Sequence, residues 1–236
     1  MEKCVERSCP LSGLRMVLLF LHYFLGYQFI YPMLLESFTL WLNPSARSVP
    51  EWLQFLFYCF MMAVAAWLAM PLLKESTERL KSFGWKLFKL CLLLFAAYYV
   101  CSLAVNIIVL LLSETETSAN QTEIIEAINV SPYLTMFSTL IYAPIVEELV
   151  FRGIFYRALR PHFHWLLSAL ISAFLFGFIH VMFSLLTGNF NDLIYLLSYG
   201  LIGFFLALAY EKSGTIFGSM LLHFFNNAFA FLIVVL

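Results

Sequence analysis

Charge is scarce in this sequence: 11% of its 236 residues are Asp, Glu, Lys or Arg, where soluble domains carry about 25%. With 63% hydrophobic residues and a mean hydropathy of +0.90, that scarcity excludes an ordinary soluble domain. Five cysteines (Cys4, Cys9, Cys59, Cys91 and Cys101) form no Cys-x-x-Cys pair and no zinc-ligand spacing. Their odd number excludes a closed disulfide framework, and the three inside apolar runs read as buried thiols. The chain lacks the His-Glu-x-x-His sequence of helical zinc hydrolases. It also lacks inverted repeats and paired broken helices, which counts against a transporter. Gly200 and Gly203 are too close to make a GxxxG dimer motif. A net charge of −1 points to no partner of either sign; a lipid bilayer is the expected surrounding, and no nucleic acid is expected.

Long apolar runs are what the chain does have. A membrane span needs about 20 mostly apolar residues. Seven stretches qualify, at approximately 14–35, 51–73, 87–112, 132–156, 165–187, 193–210 and 215–236, with polar loops between them, including Ser113–Ser131. The expected fold is therefore all-α, a polytopic transmembrane helical bundle of about seven spans. The first run follows a basic head (Lys3, Arg7, Arg15), is too long for a signal-peptide core, and has no small-residue cleavage site close behind it, so it reads as an uncleaved span. With the N-terminus inside, twelve of the 13 Lys and Arg residues fall on inside segments and only Arg47 outside. The Ser113–Ser131 loop, with Glu114, Glu116, Glu123 and Glu126 and no basic residue, suits the outer side. The expected topology is N-terminus cytoplasmic and C-terminus outside.

Polar residues inside the spans concentrate in the second half. Glu147 and Glu148 are adjacent in the fourth span, and each ionised carboxylate at the centre of a membrane helix costs roughly 2.5–3.5 kcal/mol. Arg152 lies one turn after Glu148 on the same helical face and can neutralise it, whereas Glu147, about 100° around the helix, cannot use that arginine as readily. Pro144 removes an amide just before the pair and can bend the helix. Phe176 and His180 are one turn apart in the fifth span; His223 and Asn227 are one turn apart in the seventh. Measured from the loops at a rise of about 1.5 Å per residue, Glu147 and His180 reach one depth, and His223 joins them if the hairpin of the fourth and fifth spans projects by about two turns. His22, His162 and His164, and the amides Asn106 and Asn226, read as helix-packing hydrogen-bond partners.

Together these residues resemble the CAAX-protease and bacteriocin-processing family of intramembrane proteases, also called the Abi family. Its pattern is Glu-Glu-x-x-x-Arg, then Phe-x-x-x-His, then His-x-x-x-Asn. Here it reads Glu147-Glu148-Leu-Val-Phe-Arg152, Phe176-Gly-Phe-Ile-His180 and His223-Phe-Phe-Asn226-Asn227, within about residues 132–232. The resemblance divides the chain into 1–131, three spans without a motif, and 132–236, the catalytic core. It implies an intramembrane endopeptidase that cuts a peptide or membrane-protein substrate near the cytoplasmic face. Glu147 would activate water with help from His180, and His223 and Asn227 would stabilise the oxyanion. Glu148 and Arg152 would orient the site, with Phe176 in support. No cofactor is favoured, although Glu147, His180 and His223 could bind zinc in a metal-dependent variant. The compact chain looks like a bacterial member, which implies a plasma-membrane location and leader peptides, pheromones or membrane proteins as targets. The alternative is a non-proteolytic scaffold or bacteriocin self-immunity protein on the same fold.

Overall fold

The computed structural model describes residues 9–113, 115 and 117–236; Lys3, Cys4, Arg7, Glu114 and Glu116 lie outside the described residues. The apolar runs form helices α1 (Gly13–Leu42), α2 (Glu51–Leu68), α4 (Trp85–Leu112), α6 (Pro132–Leu159), α7 (Trp165–Leu186), α8 (Phe190–Ser213) and α9 (Ile216–Val235), all long and apolar enough to cross a membrane. Two more polar helices join them, α3 (Met70–Phe83) and α5 (Ala119–Val130). The outward surface is that of an integral membrane protein: Leu110 and Leu111 are each 76% exposed and Trp41 is 75% exposed, with a bilayer to cover them.

Several boundaries differ from the sequence expectation. The first span continues to Leu42, and the sixth runs from Phe190 to Ser213. The second stops at Leu68, because Ala69 leaves regular helical geometry and Pro71 starts a new helix in its first turn. The stretch from Ser113 to Ser131 is not a plain loop but carries α5. Ser118 caps that helix by accepting from the Gln121 amide at 3.2 Å, and Pro132 follows its end. Asn106 is exposed rather than packed between helices, and Cys101 is exposed rather than buried. His22 does bridge helices, with Nδ1 2.8 Å from the Tyr31 hydroxyl and Nε2 3.0 Å from the Met61 carbonyl.

One end of the bundle is fastened by its basic residues. Arg15 donates to the last carbonyls of α2, Trp67 and Leu68, at 3.0 Å each, where a cation complements the helix terminus. Arg157 makes a two-pronged pair with Glu75 of α3, both bonds 3.1 Å, and Arg160 pairs with Glu211 of α8 at 2.7 Å. Thr215 and Ile216, at the start of α9, bond Ser76 of α3. The turn between α8 and α9 needs a left-handed residue, which Gly214 supplies at φ +67°.

Helices α7 and α8 approach until their backbones touch. A methyl group on Gly177 would lie 2.9 Å from the Gly200 amide nitrogen, and one on Gly203 3.1 Å from the Ala173 Cα. Small residues that serve no dimer motif thus serve this internal contact. It sets the position of the turn that carries Phe176 and His180.

Candidate active site

The site is built on an interrupted helix. In α6 the residues 143–150 are α-helical, but Ser138–Tyr142 before them and Phe151–Tyr156 after them are wider π-helical turns. Such turns recur at functional sites because they leave carbonyls free and redirect side chains. Pro144 explains the first: it has no amide to donate, and the Ala143 amide bonds five residues back, to the Ser138 carbonyl. The Thr139 carbonyl is thereby released, and Asn227 Nδ2 of α9 donates to it at 2.8 Å. After the second turn begins, Ser172 of α7 donates to the Phe151 carbonyl at 2.9 Å. Each departure from regular helix is answered by a polar side chain of a neighbouring span, which fixes α6 against α7 and α9.

The two glutamates occupy different surroundings. Glu148 is fully buried; its Oε1 accepts from Arg152 Nη1 at 2.9 Å and from His223 Nδ1 at 2.9 Å. Arg152, also fully buried, donates its other arm to the Gly203 carbonyl at 2.6 Å, with its guanidinium 4.8 Å from the Phe176 ring centre. Because a carboxylate only accepts, His223 carries a proton on Nδ1, and its Nε2 is left to face Glu147. The Nε2 to Glu147 Oε2 distance is 4.0 Å, and among the described residues that oxygen has no hydrogen-bond partner. Glu148 therefore neutralises Arg152 and orients His223 through Oε1, its Oε2 having no partner among the described residues, while Glu147 makes neither of these contacts.

His180 is held by its own helix. Nδ1 lies 2.7 Å from the Phe176 carbonyl, and the ring stacks on Tyr199 of α8 with centroids 4.6 Å apart and planes 22° apart. That leaves Nε2 free of the backbone. No direct bond to Glu147 is present among the described residues, and both side chains line the same cavity. Phe176 touches both histidines, with ring centroids 4.7 Å from His180 and 5.6 Å from His223. Asn227 has one amide proton on Thr139, and its carbonyl accepts from Asn226 Nδ2 at 3.2 Å. Asn226 thus belongs to the site, contrary to its reading as packing alone. One residue of spacing misled that reading, because it hid the reach of a side chain folding back over its neighbour.

These residues line a cavity of about 610 Å³ that includes Glu147, Phe176, His180, His223, Asn226 and Asn227. Its other wall comes from the region without motifs. Tyr27 of α1 and Tyr58 of α2 meet Tyr142 of α6, with ring centroids 5.4 and 4.8 Å away, and the Tyr23 hydroxyl approaches the Glu147 carboxylate. The Tyr142 hydroxyl is buried without a partner among the described residues. Tyr23 and Tyr27, one turn apart in an apolar span, were the available sequence signal for this wall: buried phenols need partners, and here they gather around a carboxylate. Among the described residues no three of His, Cys, Asp and Glu are grouped as a metal ion would need, although Glu147, His180 and His223 line one cavity. As arranged, they do not fit a zinc site.

The family-model match falls on the same helices. The family model for type II CAAX prenyl endopeptidase Rce1-like proteins matches residues 129–229. The chain is 30% identical over 112 residues to the "Putative membrane peptidase YdiL" of Bacillus subtilis (strain 168), a stretch of 48% of this chain and 41% of that protein. The chain thus spans less than half the length of that curated relative. No solved structure matches. The stretch matched by the family model takes in both glutamates, Arg152, His180, His223 and Asn227, and over it the chain is similar to the type II CAAX prenyl endopeptidases.

Proposed function

We propose that the chain is an intramembrane endopeptidase that hydrolyses a peptide bond in a membrane-associated protein or peptide, with water as the nucleophile. The observation that carries this reading is the division of labour between the glutamates. Glu148 is fully buried and its Oε1 is engaged by Arg152 and His223, while Glu147 lines the cavity, binds no arginine among the described residues, and has its Oε2 4.0 Å from His223 Nε2.

In this reading Glu147, with His180 Nε2, takes a proton from water as its oxygen attacks the substrate carbonyl carbon. Collapse of the tetrahedral intermediate breaks the C–N bond, and the same proton passes to the leaving amine. Protonated at Nε2, His223 donates to the oxyanion, held at the right angle by Glu148 through Nδ1. Asn227 contributes its second amide proton, and its first fixes it to Thr139. The 4.0 Å gap is too long for a direct hydrogen bond and suits one bridging oxygen. No step is routed through zinc.

The test compares peptide termini in membrane and secreted fractions of cells expressing wild type, Glu147→Gln or His180→Ala at matched levels. A terminus made by wild type and missing from both variants supports proteolysis and names the substrate. If no terminus changes while both variants still restore the null phenotype, the chain acts as a scaffold or immunity protein and the proteolytic reading is wrong.

A further inference from the structure

The cavity has a direction. Every α6 residue lining it, from Leu134 to Glu147, lies at or before Glu147, and every α9 residue, from His223 to Val234, lies at or after His223. The cavity therefore runs from Glu147 and His223 toward the start of α6 and the end of α9, about 20 Å along α6 at 1.5 Å per residue. Gln54 and Tyr58, in the first half of α2, line it too. The opposite direction is closed by buried Glu148, Arg152 and Tyr156, and beyond them by the Arg157–Glu75 and Arg160–Glu211 pairs.

The mouth is roofed by α5, whose Asn120, Gln121, Glu123 and Ile124 face it. This helix is tied to the catalytic core: the Ala119 amide donates to Asp192 at 2.9 Å, and Ser118 and Asn120 bond the Tyr199 hydroxyl at 2.7 and 3.1 Å. Tyr199 is the residue stacked on His180. The roof and the candidate base thus share one anchoring side chain.

The basic residues between Lys74 and Lys89, with Arg157, Arg160 and Lys212, belong to the closed end; the mouth has Glu123 and no Lys or Arg among its lining residues. Lys and Arg mark the cytoplasmic side of membrane proteins because they are the side chains retained there during insertion. Building on the proteolytic reading, we propose that the Glu147 cavity is entered from the non-cytoplasmic side beneath α5, and that the substrates are polypeptide segments presented at that face. Cutting near the cytoplasmic face, the expectation from sequence, would require the cavity to open at the other end. The lining suits an extended peptide: carboxamides of Gln54, Asn120, Gln121 and Asn226 offer both donors and acceptors to a backbone, and the volume is that of a cleft for a few residues, not for a folded domain.

The test places single cysteines in the full-length protein with its five native cysteines replaced. Leu134→Cys and Ala230→Cys report on the cavity, Ser45→Cys on the mouth end of the bundle, and Lys81→Cys on the basic end. Each is treated with a membrane-impermeant charged maleimide on intact cells and on inside-out vesicles. The expected result is labelling of the positions 45, 134 and 230 in intact cells, and of position 81 only in inside-out vesicles. Labelling of 134 and 230 only from inside-out vesicles overturns the proposal, as does their failure to label from either side while 45 reacts. Labelling does not depend on catalysis. Loss of the Glu147→Gln phenotype in the peptide-terminus experiment would therefore remove the proteolytic reading and leave the direction of access measured.

Discussion

Replacing each glutamate by glutamine should separate the two in opposite ways. Glu148→Gln keeps volume and an acceptor but removes the charge that balances Arg152, whose side chain is 0% exposed and whose other contacts among the described residues include the Gly203 carbonyl and the Phe176 ring. Breaking a buried ion pair from one side costs about 3–5 kcal/mol; because the amide still accepts, we expect about 3 kcal/mol. For a chain of this size each kcal/mol is worth about 2–4 °C in Tm, so the transition should fall by about 6–12 °C. Glu147→Gln removes no hydrogen bond from Oε2, which has no partner among the described residues, and takes the charge off a half-buried side chain. Its stability should change by no more than about 0.5 kcal/mol, or rise, while hydrolysis falls by about 10²–10⁴ for loss of a general base. Both effects can be read on purified protein in one detergent, Tm from tryptophan fluorescence and activity on the substrate identified in cells. Equal Tm losses in the two variants, or an unchanged Tm in Glu148→Gln, would refute the assignment of Glu148 as the charge partner and Glu147 as the working group.

Further outcomes follow from neighbouring contacts. Gly177→Ala should lower stability by about 1–3 kcal/mol, because its methyl meets the Gly200 backbone at 2.9 Å, whereas Gly200→Ala, with nothing within 4 Å, should be tolerated; thermal unfolding of the pair checks both. Tyr142→Phe removes a hydroxyl that has no partner among the described residues and should leave Tm unchanged or slightly higher, so any loss of turnover in that variant belongs to the reaction. Asn227→Ala leaves the Thr139 carbonyl unpaired and should cost about 1–3 kcal/mol, along with part of the oxyanion stabilisation, seen as a fall in both Tm and kcat. Phenanthroline should leave the activity of purified protein intact; loss of activity that zinc restores would overturn the metal-independent mechanism.

Membrane residence, the number of spans and the family resemblance were legible in the sequence because each rests on a local quantity. Apolar length decides a span, and Glu147-Glu148-x-x-x-Arg152, Phe176-x-x-x-His180 and His223-x-x-x-Asn227 each complete one turn of one helix. Helical spacing also gave the Glu148–Arg152 pair, since residues four apart must meet. What spacing could not give was any contact between helices. That His223 Nδ1 bonds Glu148, that Asn226 folds back onto Asn227, and that Tyr27 and Tyr58 of the first two spans wall in the Glu147 cavity all depend on how the spans rotate and cross. Those rotations are set by features with weak sequence signatures: two π turns in α6, a proline that frees Thr139, and glycines that let α7 and α8 touch. The direction of the cavity is the clearest case. The charge bias along the chain gives an expectation of which end of the bundle faces the cytoplasm, but only the packed helices decide which end is open, because a cavity exists where side chains from several spans fail to meet.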